Sequence, residues 1–302
     1  MKKKNGFAEK NKNRNSYFKT DYDATAMVLK EDYYSKSSHD FHAGYNIQVM
    51  VSSLLILMYG AFQDRSDINP LIPMNDLYFK YYGKYPINEC DDAGYGNYKN
   101  YKYLKEHSIN NYVKFQNWEG ESTGKNPQLF YTFDDGVMWL NTNIGEEVPF
   151  DNYHRKRNTD GVLYKFTGCN SCNYSYKCKA KLKEENRDTD YRYYELIPAY
   201  ELLKEEARNN LLSPKGIEIR INRSIQVEGS FGQIKNNMNY DRIRRRGLEK
   251  VSTEIMLMCL GVNIRRYLAS LKENKFKSNC WNTPSDLKKE KFQSVKPKKK
   301  KV

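Results

Sequence analysis

The side chains in this sequence best suited to chemistry are carboxylates placed beside glycine and basic residues. Asp92-Ala93-Gly94-Tyr95-Gly96 sets an acid at the end of an apolar stretch, with two glycines after it. Asp21-Tyr22-Asp23-Ala24-Thr25 offers two more acids, either of which can lie on a strand edge. In Arg223-Ser-Ile-Gln-Val-Glu228-Gly-Ser-Phe-Gly232, a glutamate sits in helical spacing with basic residues following. Each island also has an ordinary reading: a tight turn, an Asx-rich turn and a solvated helix glutamate. Taken together in a positively charged chain, carboxylates from distant segments point to a magnesium site acting on nucleic-acid phosphates.

Lys235 lies two helical turns beyond Glu228, on the same face if the helix continues, where an ammonium could hold a phosphate. Further along, Arg242, Arg244, Arg245 and Arg246 form a basic run suited to positioning phosphates without reading sequence. The cysteines Cys169-x2-Cys172-x5-Cys178 leave a tetrahedral zinc one ligand short, with His154 the nearest histidine. Small buried thiols are the preferred reading of that cluster, and zinc the alternative.

The elements that must carry these residues follow from periodicity. Gly44–Val51 alternates, with Tyr45, Ile47, Val49 and Val51 on one side, and reads as a strand; Leu54–Phe62 is its apolar partner across Ser52-Ser53. Within Ile68–Tyr82, Pro70 and Pro73 confine a helix to the later part. Tyr85–Asp92 reads as a short strand, Tyr98–His107 as a helix and Asn111–Phe115 as a strand. This order suits a mixed α/β sheet, with Asp92 at a strand's carboxyl end where open sheets bind ligands.

Leu129–Phe133 and Val137–Leu140 flank Asp135-Gly136, a hairpin signal. Helices are expected at Ala199–Leu212, Ile217–Asn237 and Leu248–Leu268. The last is apolar almost all round between Ile255 and Val262, which predicts deep burial. Five segments result: a disordered basic arm (1–16), the first part of a catalytic core (17–115), a β-rich, cysteine-containing insertion (116–215), the C-terminal helices of the core (216–271) and a basic tail (272–302).

Charge is concentrated at one end. Of a net +14, the stretch Phe231–Val302 carries 19 Lys/Arg against 6 Asp/Glu, leaving about +1 for residues 1–230. That distribution favours a polyanionic partner. The start of the chain is Lys/Asn-rich without an apolar h-region, and no apolar run approaches the ~18 residues of a membrane helix. Six cysteines in 302 residues do not make a secreted disulfide scaffold. A cytoplasmic location, in contact with the nucleoid, is expected.

The islands also come in a recognisable series. Arg14-Asn-Ser-Tyr-Phe-Lys-Thr-Asp-Tyr-Asp-Ala-Thr-Ala-Met27, Lys30-Glu-Asp, Gly44-Tyr-Asn-Ile-Gln, Asp92-Ala-Gly-Tyr-Gly with Asn100-Tyr-Lys-Tyr-Leu, the cysteine cluster, Arg223 through Lys235, and Arg246-Gly-Leu-Glu-Lys-Val span about residues 14–270. In order and wording they resemble one subgroup of DDE-type bacterial insertion-sequence transposases. That resemblance implies a ribonuclease-H-like mixed sheet with flanking helices. It implies an acidic triad of Asp23, Asp92 and Glu228 holding two Mg²⁺ ions, with Mn²⁺ as a substitute. Its partners would be transposon-end and target DNA, in a synaptic complex of two copies.

The chain departs from the family's pattern in three places. Ser224 and Ile221 stand where related proteins carry Arg and Tyr ahead of the Glu228–Lys235 interval, with Arg223 a conjectural substitute. Ser52 stands where many relatives have Asp, so Asp21 remains an alternative to Asp23. The family's N-terminal helical region for end recognition also has little room before the first motif. On the resemblance, this is a truncated copy or the downstream half of a split frame, and a DNA-binding remnant without catalysis is the alternative function.

Overall fold

The computed structural model describes residues 18–28, 40–123, 125, 160–172, 189–240 and 242–273, together with the backbone of three short strands between 130 and 147. A hairpin opens the core: β1 (Thr25–Val28) pairs antiparallel with β2 (Phe41–Gly44). A second hairpin joins β3 (Asn46–Ser52) to β4 (Leu55–Phe62). Ser53 and Leu54 form its two-residue turn, both at positive φ (50° and 69°), the backbone twist that tight hairpins favour. The register shifts between Met50 and Val51, leaving Leu57 as the extra residue. This bulge turns Ile56 toward the same apolar cluster as Tyr59 and Ala61.

Helix α1 (Leu71–Tyr82) begins at Pro70 and ends at Gly83, whose φ of 67° suits a left-handed cap. β5 (Asn88–Glu89) runs parallel to β6 (Asn110–Asn111), and backbone bonds from Asn110, Tyr112 and Lys114 to Ile87, Glu89 and Asp91 lengthen the ladder. Between them lies α2 (Tyr98–Glu106), capped by the Asn97 side chain on the Asn100 N–H at 3.0 Å. The expected strand, strand, helix, strand, helix, strand order is present.

A short helix α3 (Trp118–Ser122) follows, then β7 (Phe130–Thr132) antiparallel to β8 (Met138–Leu140), as the flanks of Asp135-Gly136 predict. The turn itself lies outside the described residues. β9 (Gly145–Glu147), β10 (Val162–Thr167) and β11 (Tyr191–Leu196) make a three-stranded antiparallel sheet centred on β10. Three helices complete the described residues: α4 (Pro198–Leu212), α5 (Pro214–Gly232) and α6 (Leu248–Lys272). Ser213 breaks α4 from α5 by accepting the Gly216 N–H at 2.9 Å, with Pro214 in the first turn.

Three apolar clusters lie among the described residues: one joins β10 and β11 through Tyr164, Phe166 and Leu196, and two hold the helices and the second hairpin. In one of these two, Tyr101 and Leu104 of α2 and Ala207 and Leu211 of α4 enclose Val113, Phe115 and Trp118. In the other, Val251, Ile255, Cys259 and Val262 of α6 cover Ile47, Val49, Val51 and Ile56 of the second hairpin. Asn263 of α6 extends this contact: its side-chain amide donates to the Ile56 carbonyl at 2.7 Å and accepts the Ile56 N–H at 2.8 Å. It serves β4 as a neighbouring strand would.

The deep burial predicted for α6 is corrected by half. One face is buried, but Leu257 and Leu260 on the other are 58 % and 52 % exposed. Apolar periodicity counts the residues that leave water and not which partner covers them, so a two-faced helix reads as a central one. Among the described residues no helix is long and apolar enough to cross a membrane.

Candidate active site

Asp92 stands at the mouth of the β5–β6 ladder, just before a 3-10 turn at Ala93–Tyr95. Neither glycine of the turn needs positive φ, contrary to the simple turn reading. Gly96 is required for another reason: it bridges to Phe115, and an added Cβ would lie 2.3 Å from the Lys114 carbonyl oxygen. The turn is thus pressed against β6, and Asp92 projects from a fixed base with its side chain 56 % exposed.

Behind it lies an acidic nest. Buried Glu89 and half-buried Asp91 share a hydrogen bond, and Glu89 also accepts from Asn75 Nδ2 at 3.3 Å. Burial, reinforced by Asp91, raises Glu89 well above the carboxylate range. Asp91 is pushed up to about 6, chiefly by burial, against the opposing pull of Arg223. Its Oδ2 finds no hydrogen-bond partner. Asp67 faces the same turn, accepting from Asn46 Nδ2 at 2.9 Å and Gln48 Nε2 at 3.0 Å. The Tyr95 hydroxyl donates to Gln48 Oε1, and burial drives this phenol far above its usual range.

Neither Asp67 nor Asp91 stands out in the sequence. The doublet Asp91-Asp92 was the available signal for the second. Nothing in Ser66-Asp67-Ile68 separates Asp67 from a loop acid.

From α5, Arg223 reaches across to Asp92 with a 2.7 Å ion pair. The helix carrying Glu228 is therefore docked against the Asp92 turn. Glu228 is exposed, accepts the Ser224 hydroxyl at 2.8 Å, and is followed by Gly229 and Gly232, where an added Cβ would meet nothing within 4 Å. That open strip allows another backbone to come close to Glu228. Lys235 departs from the expected helical line. Gln233–Asn237 is a π-turn, and its wider winding rotates Lys235 away from the α-helical register.

The remaining acids face another way. Asp21 accepts the Tyr45 hydroxyl at 2.9 Å and the Gly247 N–H at 3.2 Å; Asp23 Oδ2 accepts the Leu248 N–H at 2.9 Å. Both carboxylates thus sit at the positive N-terminal end of α6. The three predicted acids are hard oxygen donors that suit Mg²⁺ in chemistry. In arrangement they are not gathered: among the described residues no three His, Cys, Asp or Glu side chains lie close enough to hold a metal ion.

The basic run borders an open cleft of about 640 Å³ lined by Tyr240, Arg244, Arg245, Lys250 and Thr253. Glu254 at its floor accepts the backbone N–H groups of Arg244 and Arg245 at 3.0 and 2.9 Å, which leaves both side chains outward. The Arg244 guanidinium lies over the Tyr240 ring, 5.4 Å from its centre. Arg242 and Arg246 are also exposed. Of the cysteine cluster, Cys169 is buried and Cys172 half-buried on one 3-10 turn, while Cys178 and His154 lie outside the described residues.

Residues 145–268 match the family model described as a transposase DDE domain. The matched stretch contains Glu228, Arg223 and the basic run, and stops short of Asp23 and Asp92. No curated protein and no solved structure matches the chain.

Proposed function

Because residues 145–268 match a transposase DDE domain, we propose that the chain cuts DNA and joins a freed 3′-hydroxyl to a target during insertion-sequence transposition. The observation that carries this reading is the Arg223–Asp92 ion pair, which ties the Glu228 helix to the Asp92 turn across 131 residues of sequence. Two of the three proposed acids are thereby on elements in direct contact. The fold around them is read as a ribonuclease-H-like core, supported by the order of its strands and helices.

Asp23, Asp92 and Glu228 are the proposed holders of divalent metal. When bound there, two Mg²⁺ or Mn²⁺ ions would supply charge stabilisation to the attacking and leaving oxygens of an in-line displacement. Arg223 holds only Oδ2 of Asp92, so Oδ1 would remain open to a metal ion while the guanidinium keeps the carboxylate in place. Gly229 and Gly232 keep the Glu228 face clear for the DNA backbone. Arg244 and Arg245, with Arg242, Arg246 and Lys235, hold flanking phosphates. Two copies acting in a synaptic complex complete the reading.

A nicking assay on supercoiled DNA tests it. The protein should nick in Mg²⁺ or Mn²⁺, and Asp92→Asn and Glu228→Gln should abolish nicking while leaving DNA affinity in a gel shift unchanged. Equal nicking by both variants would overturn the assignment. Binding without nicking by the parent would favour a non-catalytic DNA-binding remnant.

A further inference from the structure

Aromatic rings pile up where α1 leads into the approach to β5, and the pile ends in water. Phe79 stacks on Tyr85 with ring centres 4.6 Å apart and planes 25° apart. Tyr85 stacks in turn on His107, at 4.3 Å and 22°. Tyr103 of α2 closes the His107 end edge-on, at 4.2 Å. The Phe79 end is open, and that side chain is 44 % exposed. Next to it, Tyr82 leans on Tyr78 at 4.5 Å and is 45 % exposed. Phe79 and Tyr82 stand three residues apart, about 60° around the helix, and so border each other on one face.

Stacking of rings on one another is ordinary core chemistry. An open end is not, because it leaves apolar surface in water that burial would remove. Each of these two rings is held from behind by a neighbour, so a further flat ring can be received in front at little cost in side-chain ordering.

Charge decides what kind of ring that is. Lys80 follows Phe79, Lys84 lies between Tyr82 and Tyr85, and Lys99 precedes Tyr103 by one turn of α2; all three are exposed. Of the acids nearby, Asp76 accepts the Tyr103 hydroxyl, and Glu106 lines a separate groove with Leu203 and Glu206 of α4. Rigid aromatic faces with ammonium groups at their margins suit unpaired nucleotides, base on ring and phosphate on lysine. In a duplex the bases are covered by their neighbours, so such a surface favours single strands.

We propose that Phe79 and Tyr82 form a stacking platform for unpaired nucleotides of the DNA substrate, with Lys80 and Lys84 on the adjoining phosphates. The platform rests on the reading of DNA as substrate and adds to it a separate contact. Tyr85 enters β5 and Asp92 leaves it, up to about 23 Å further along the strand, so the two sites can be altered independently.

Fluorescence anisotropy of labelled oligonucleotides tests the platform on full-length protein in EDTA, where no cutting intervenes. The probes are an oligothymidylate of about twenty nucleotides and a duplex of equal length. Phe79→Leu and Tyr82→Leu keep apolar bulk but remove the flat face. Each should weaken single-strand binding by about 5- to 100-fold, the loss of one base stack, and leave duplex affinity unchanged. Phe79→Tyr should bind single strands as the parent does, and Lys84→Gln should flatten the salt dependence on single strands. Circular dichroism melts confirm that each variant is folded. Should a leucine variant fail to fold, photocrosslinking of the parent to an iodouracil-substituted strand gives the answer without substitution: adducts mapped by mass spectrometry should fall on Phe79 or Tyr82. Unchanged single-strand affinity in both leucine variants, an equal loss on duplex, or adducts only elsewhere would overturn the platform. A parent that binds duplex but not single strands would overturn it alone, whereas a parent that binds neither would take the transposase reading with it.

Discussion

Asp23 is the residue at which a structural role and a chemical role can be separated by substitution. Its carboxylate accepts the first N–H of α6, Leu248, at 2.9 Å, and so caps a 25-residue helix from the far end of the chain. An interaction of this kind combines a hydrogen bond to a charged acceptor with the field of the helix N-terminus. Loss of such a cap costs about 1–2 kcal/mol. Asp23→Ala should therefore lower the stability by about that much, or Tm by roughly 3–6 °C for a domain of this size. Asn caps a helix nearly as well as Asp, so Asp23→Asn should lose no more than about 0.5 kcal/mol. Urea unfolding followed by circular dichroism measures both. If Asp23 also holds metal, the two variants should be equally dead in Mg²⁺-dependent nicking despite their different stabilities. An Asp23→Asn loss as large as that of Asp23→Ala would refute the capping argument.

Two further outcomes follow from packing. Gly96→Ala forces a methyl to within 2.3 Å of the Lys114 carbonyl, and should cost about 3 kcal/mol or more, whereas Gly94→Ala, facing only the Asp67 carboxylate at 3.3 Å, should cost less than half of that in the same unfolding assay. Burial pushes the Cys259 thiol up to about 11 and the Cys90 thiol up to about 12. Burial disfavours the thiolate, so at pH 8 both should resist iodoacetamide in the native protein and react only through the urea transition, as mass spectrometry of quenched samples would show.

How far the sequence could be read depended on whether a signal was local. The hairpin turn (at Ser53-Leu54, one residue beyond the expected Ser52-Ser53), the prolines around Leu71 and the Ser213-Pro214 break are decided by neighbours along the chain, and the hairpin, α1 and the α4–α5 junction follow from them. Gly96 looked like a positive-φ turn residue because sequence cannot show a strand pressing on it from 18 residues away. The π-turn at Gln233–Asn237 was invisible for the same reason, and with it the displacement of Lys235. Asp21 and Asp23 were legible as interesting acids, but their attachment to the N-terminus of α6 rests on contacts spanning 225 residues or more. Asp67 carried no local mark at all. The apolar count of α6 was right, and only the tertiary fold tells its two faces apart.

The amide of Asn263 that completes the edge of β4 also sets a timetable. Ile56 and Asn263 are 207 residues apart, and at the usual pace of synthesis the second follows the first by roughly 10–40 s. For that interval the hairpin has left the ribosome with Ile47, Val49, Val51 and Ile56 uncovered and one strand edge unpaired. A nascent chain of this sequence is thus sticky throughout that interval, and the β3–β4 hairpin is sealed only when α6 arrives. Slowing translation should favour aggregation of such a chain, and chaperones that shield apolar strands should act during this window.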